Sequence, residues 1–208
     1  MHGTLFKVSN IEITGNRTIS TNEIEKASGV QKGKSIFGVR SWEIQKNLEK
    51  IRGIKRVEVE KVFPHLVRIT IWERILFARV VVGGSSFCVD DEGIDVKCQP
   101  APPDRIVTIR LSVNRKSDIR RLLEVIKAWQ EGFESPLREV SLSGDSLFIL
   151  HLQNDIFIKC EGASNLLDKT LVLKPLLREV QVKSLKVVGF DLRMKKDIVL
   201  LQNKEEIY

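Results

Sequence analysis

Several short stretches of this 208-residue chain carry residue types that could do chemistry, and each lacks something the chemistry needs. Asp90, Asp91 and Glu92 form the densest carboxylate cluster. Paired carboxylates serve as acid and base when burial or a neighbour splits their pKa values. These three fall on a predicted hairpin tip, where solvent keeps carboxylates ordinary. The run Gly29-Val30-Gln31-Lys32-Gly33-Lys34-Ser35 is similar to a phosphate-binding loop, but it is one residue short and has Ser28 where the first glycine belongs. It also follows a predicted helix, whereas a phosphate loop needs a strand before it. Gly84-Ser85-Ser86 lacks the closing glycine of a nucleophile elbow. His2, His65 and His151 are scattered, with no pair at metal-ligand spacing. The expectation is a protein that is not an enzyme, with no cofactor, no metal and no small-molecule substrate.

Cys88, Cys98 and Cys160 leave two readings open. All three lie in apolar strand patterns, which makes buried thiols the default. Cys88 and Cys98 also flank one hairpin, and some registers would bring them within disulfide reach.

The elements that must position these residues are well marked. Phe6 and Val8 alternate, then Ile11 and Ile13 alternate in the opposite parity, which predicts a strand with a bulge near Ser9-Asn10. Ser20 reads as a helix N-cap with Glu23 completing a capping box, and Ile19 and Ile24 stand at the staple positions. That helix stops at Gly29. A second helix is predicted over 41–51, then strands over 57–62 and 66–73 around Pro64. The second region is predicted as strands over 80–90 and 94–98 around Asp91-Glu92-Gly93, a proline-rich loop over 99–104, and a strand over 106–113. A helix follows over 117–131, with Ile119, Leu122, Leu123, Ile126 and Trp129 on one stripe. Strands over 139–142, 147–152 and 156–160 form a meander. A helix over 165–180 is expected to kink or break at Pro175. Strands over 185–192 and 198–202 end the fold. The class is α+β.

Charge is uneven. Residues 1–80 hold 15 Lys and Arg against 8 Asp and Glu, and residues 81–208 hold 19 of each. The whole formal net charge of +7 thus belongs to the first module. Two readings stand: contact with anionic lipid headgroups, or plain solubility charge. A nucleic-acid partner is not expected. Aromatic content is only 6%, aromatic and basic residues are not interleaved, and Lys46, Lys50, Arg52, Lys55 and Arg56 suit a helix C-terminus.

The order β-α-α-β-β over 6–78 resembles the POTRA domain. Phe6, Val8, Ile11, Ile13, Gly15-Asn16, Ile19-Ser20 and Glu23-Ile24, with Gly33-x-Ser35-Ile36-Phe37, resemble its form in the FtsQ/DivIB family of bacterial division proteins. Glu73-Arg74-x-x-x-Ala78 resembles the family's exit from the domain, with Leu76 where a proline is common. Val89-Asp90-Asp91-Glu92-Gly93 and Gly189-Phe190-Asp191-Leu192-Arg193 resemble segments of its second domain.

The resemblance implies a POTRA domain over 4–78, a mixed, mainly antiparallel β domain with two helices over 79–203, and a tail over 204–208. It implies a non-enzymatic divisome scaffold on the extracytoplasmic, periplasmic face of the inner membrane, binding FtsB- and FtsL-type proteins. It implies a membrane helix ahead of residue 4, which makes this chain an excised ectodomain with Met1-His2-Gly3 left by cloning; the other reading is a soluble protein starting here. The partner contact implied is the last strand and the turn before it: Arg193, Met194, Lys195, Lys196 and Asp197, then Ile198, Val199, Leu200, Leu201 and Gln202. Met194 stands where the family often has an aromatic residue. The competing family reading is a POTRA-bearing outer-membrane assembly or secretion factor.

Overall fold

Ser20 accepts the Glu23 N–H at 3.2 Å and starts helix α1 (Thr21–Ser28), which buries Ile24 completely. Helix α2 (Ser41–Leu48) ends a turn earlier than expected. Beyond it the Ile51 N–H reaches only to the Leu48 carbonyl, a tighter closure than the α-helical one. The computed structural model describes residues 5–98, 106–183, 185–195 and 197–207. Its chain divides into two compact units, 1–75 and 76–208.

In the first unit, strands β1 (Asn10–Thr14), β2 (Ile54–Val62) and β3 (Leu66–Glu73) form a sheet in the order β1-β3-β2. β1 runs parallel to β3, and β2 runs antiparallel to it. The parity switch in the sequence has a physical cause: the Ser9 and Asn10 N–H groups both donate to the His65 carbonyl, two residues against one. Ile24, Ile36, Leu48, Val67, Ile69 and Ile71 fill the core between helices and sheet. The phosphate-loop look-alike is spent on this packing. The Gly33 N–H donates to Val8, the Val8 N–H donates to Lys34, and the Ile36 N–H donates to Phe6, each at 2.8 Å.

Glu73 closes the unit. Its carboxylate accepts the consecutive N–H groups of Arg17, Thr18 and Ile19 at 2.7–3.0 Å, and the Thr18 hydroxyl at 2.5 Å. Partial burial pushes its pKa up, but these donors outweigh that and hold it below the usual carboxylate value.

The second unit carries a nine-stranded sheet. Its strands are β4 (Ala78–Val82), β5 (Ser85–Val89), β6 (Asp95–Val96), β7 (Val107–Leu111), β8 (Leu137–Ser143), β9 (Leu147–Leu152), β10 (Phe157–Cys160), β11 (Gly189–Asp191) and β12 (Val199–Leu201). The order is β12-β11-β10-β9-β8-β7-β4-β5-β6. Pairs β4–β7, β7–β8 and β10–β11 are parallel, and the other five are antiparallel. Helix α3 (Lys116–Gly132) spans β7 to β8 and buries its whole predicted stripe. Trp129 stacks on Phe133 and donates its indole N–H to the Ser135 carbonyl at 2.7 Å.

Several expectations change here. The strand expected over 80–90 is a hairpin, because Gly83 and Gly84 both take positive φ and turn β4 into β5. Ala78, expected to end the first domain, already pairs with Val89 and Val107 in the second sheet. Among the described residues the second unit has three helices, not two: α4 (Ala163–Asp168) and α5 (Thr170–Lys183) are separated at Lys169. Pro175 lies inside α5 without breaking it. The carbonyl that loses its donor is that of Leu171, in the exposed first turn. Asp90 is fully buried rather than solvated, and accepts the Glu92 and Ile94 N–H groups at 2.9 and 2.8 Å. Cys88 and Cys98 form a disulfide with Cα atoms 5.3 Å apart, and Cys160 is a buried thiol that burial pushes up to about 12. The strand expected over 185–192 shortens to β11. The segment after β12 is packed, with Ile207 buried. The proline-rich loop over 99–104 lies outside the described residues.

Two outcomes follow. Titration of the denatured chain finds one reactive thiol, and three after reduction. Glu73→Gln destabilises the first unit by about 1–3 kcal/mol at neutral pH, read as the urea midpoint from NMR signals of Thr18 and Ile19. Because the folded pKa of Glu73 is depressed, its contribution is present above the ordinary carboxylate range. It is lost as pH falls through the folded value, so the gap between wild type and variant closes on acidification.

Candidate partner-binding edge

β12 is the outermost strand of the second sheet and pairs only with β11 among the described residues. Which of its backbone groups face outward follows from the ladder behind it. The Phe157 N–H donates to Val188 at 2.9 Å, and the Leu192 N–H donates to Lys159 at 2.8 Å. Even-numbered residues of β11 therefore turn toward β10, and Gly189 and Asp191 turn toward β12. Gly189 lies opposite Leu201, Phe190 opposite Leu200 and Asp191 opposite Val199. The backbone of Val199 and Leu201 is spent on β11, and that of Leu200 is directed away from the sheet.

Gly189 is required for this approach. A Cβ there would sit 2.2 Å from the Phe157 carbonyl oxygen, a backbone atom with no freedom to yield.

Buried charge fixes the turn that precedes the strand. Lys159, Lys169 and Asp191 are all more than nine-tenths buried. Arg193 grips the Asp191 carboxylate through two nitrogens, the shortest contact being 2.6 Å, and the Arg193 N–H adds a third donor. Burial alone would raise the Asp191 pKa, but the hydrogen bonds from Arg193 and the nearby Lys159 charge hold it below its usual value. Arg193 is held above its own by the same pairing, with its hydrogen bond to Asp191 leading. The Lys169 ammonium donates to the carbonyls of Lys195 at 3.0 Å and Asp197 at 3.3 Å. Asn165 donates to the Leu192 carbonyl at 3.0 Å.

The far end of β12 is closed. Glu206 accepts the Gln202 N–H at 3.1 Å and the Asn203 side-chain amide at 2.7 Å, while Asn203 caps the Glu206 N–H. The Lys159 ammonium donates to the Glu206 carbonyl at 2.7 Å.

The ten residues expected to form one surface therefore divide. Met194, Val199 and Leu200 are exposed apolar side chains, at 54, 44 and 47%. Leu201 is buried, and Ile198 packs partly against the core. Arg193 is engaged internally, and Lys195 and Asp197 lend their carbonyls to Lys169. The Gln202 N–H is already taken. Lys196 lies outside the described residues. Sequence reasoning missed Lys159, Lys169, Asn165, Glu206 and the close approach of Gly189. The available signals were a lysine inside the apolar run 156–160 and another interrupting a helical stripe.

Lys169→Met keeps the aliphatic stem and removes the ammonium. It is expected to cost about 1–3 kcal/mol and to speed amide hydrogen exchange at 194–201 more than in the rest of the second unit. Gly189→Ala is expected to cost roughly 3 kcal/mol or more through overpacking, measured by urea unfolding.

Comparison with known proteins finds relatives for parts of the chain. Residues 6–74 match the family described as POTRA domain, FtsQ-type. The cell division protein FtsQ of Rickettsia felis is 34% identical over 99 residues, covering 47% of this chain and 37% of the relative. FtsQ of Rickettsia typhi is 28% identical over 156 residues, covering 74% of this chain and 57% of the relative. The cell division protein DivIB of Paenibacillus polymyxa is 31% identical over 103 residues, covering 45% of this chain and 41% of the relative. The chain thus spans between about a third and somewhat over half of these relatives' lengths. The solved major extracytoplasmic domain of DivIB from Geobacillus stearothermophilus is a loose likeness, with a TM-score of 0.36 and 14% identity over 55% of this chain and 98% of that one. Among the described residues no helix is long and apolar enough to cross a membrane. Residues 6–74 thus carry an FtsQ-type POTRA domain, and the chain is similar to the cell division proteins FtsQ and DivIB over the stretches these relatives cover.

Proposed function

We propose that this chain is the extracytoplasmic part of a non-enzymatic divisome scaffold, and that it takes a strand from an FtsB- or FtsL-type division protein along β12. The observation that carries the reading is the outward-facing backbone of Leu200 on an edge strand whose apolar side chains stay in water. A strand laid along this edge gains main-chain hydrogen bonds at Leu200 and buries Val199, Leu200 and Met194. Lys195, beside Met194, favours an acidic segment in the partner. With the Gln202 N–H already occupied, the added strand registers on residues 198–200. The Cys88–Cys98 disulfide supports an oxidising compartment, the periplasmic side of the inner membrane in a bacterium with two membranes.

The decisive substitution is Leu200→Pro, which deletes the outward N–H and leaves the β11 ladder intact. Val199→Pro would instead cut the β11–β12 pairing and confuse folding with binding. Leu200→Pro and, separately, Met194→Asp are each expected to weaken binding of the FtsB-type partner's soluble segment by about tenfold or more. Calorimetry gives the affinity, and an unchanged urea midpoint confirms the fold. Wild-type affinity in both folded variants would place the partner elsewhere.

A further inference from the structure

Three phenylalanines of the first unit stand in a row on its surface. The Phe6 and Phe37 rings are 5.3 Å apart between centroids, and Phe37 and Phe63 are 5.4 Å apart. They are 41, 63 and 54% exposed, and Leu5 beside them is 61% exposed. The row is held stiffly. The Ile36 N–H donates to the Phe6 carbonyl, and the adjoining Ile36 side chain is fully buried, so Phe37 is presented outward from a fixed backbone. Contiguous uncovered aromatic surface in a folded unit marks a contact.

The charges around the row select what it contacts. Its rings come from three segments, 5–9, 30–40 and 61–66. These contain Lys7, Lys32, Lys34, Arg40 and Lys61 and no Asp or Glu. Lys32 pairs with Glu25, Arg40 with Glu43, and the Lys61 ammonium donates to the Val39 carbonyl. Lys7 and Lys34 lie in the same segments as the rings, at exposed positions. Exposed aromatic rings on segments that carry cations and no carboxylate match a surface that is apolar below a negative face. We propose that Phe6, Phe37 and Phe63 form a shallow docking patch for an anionic phospholipid bilayer, the rings entering the headgroup boundary while Lys7 and Lys34 meet the phosphates. This goes beyond the partner strand and does not rest on it. It gives the charge of the first module a defined place of action.

The test is flotation of the full chain with vesicles. Wild type is expected to float with equimolar phosphatidylglycerol and phosphatidylcholine at low salt, and far less with phosphatidylcholine alone. The double variant Phe37→Ala/Phe63→Ala is expected to lower the bound fraction about tenfold. Lys7→Glu/Lys34→Glu is expected to abolish the preference for the anionic vesicles. Phe37→Trp keeps a ring and is expected to float like wild type, with quenching by brominated lipid beyond that of the native tryptophans. Absence of that extra quenching overturns the proposal without depending on the fold of the alanine variant. Flotation unchanged by the double variant also overturns it. So does a wild-type dimer that the double variant converts to monomer with no change in flotation, which would assign the patch to a second copy of the chain.

Discussion

The position of the last strand depends on a carboxylate removed from water. Asp191 sits in the third residue of β11, opposite Lys159 in the parallel register with β10. A desolvated carboxylate is tolerated only where cations and N–H groups replace the lost water. Arg193 supplies two nitrogens and its backbone N–H, and Lys159 adds its charge. The same Lys159 ammonium holds the carbonyl of Glu206, whose side chain closes the end of β12. One small group of charges therefore fixes where β11 stops, where the turn begins and where β12 ends. Directed bonds to particular carbonyls admit one register.

The crossover between β10 and β11 has a second task. Parallel strands require a long connection, and α4 and α5 provide it. The connection also delivers Asn165 and Lys169 to the backbone of the segment it leads into. Lys169 stands at the junction of the two helices, its N–H reaching the Leu166 and Leu167 carbonyls. The interruption of the helix and the holding of the turn thus meet at one residue, whose ammonium donates to the Lys195 and Asp197 carbonyls. Pro175 reads as a breaker from its type alone, yet it costs little where the orphaned carbonyl meets solvent.

The first unit was legible in its sequence because its signals are local. The Ser20 cap, the Gly29 stop and the parity change at Ser9-Asn10 each act within a few residues and report one geometry. Glu73 was visible only as part of a motif, since its three N–H partners lie more than 50 residues away. In the second unit, the stripe of α3 and strand β9 emerged from periodicity. The β4–β5 hairpin was missed because Val80 to Val89 reads as one apolar run unless Gly83-Gly84 is given its full weight as a two-residue turn. The family resemblance pointed to residues 193–202, which include the edge strand β12, but it could not divide ten residues into those that face water and those that hold the turn. That division is set by ladder alternation and by buried lysines drawn from other elements.

A short, pinned edge strand answers two opposing demands. Unpaired strand edges invite self-association, and a strand with three paired residues offers another copy little to hold. Blocking the Gln202 N–H with Glu206 removes a further donor from any incoming chain. Main-chain bonding at β12 is then too sparse to select or retain a partner unaided. A partner that adds a strand here must draw its affinity from side chains, and the available ones are Met194, Val199 and Leu200. Because the turn is held by Lys169 and the Asp191 group, Met194 keeps a fixed place relative to the strand. On the proposed function, the recognition element is the combination of a small stretch of backbone and a few apolar side chains, held in place by the charges of the turn.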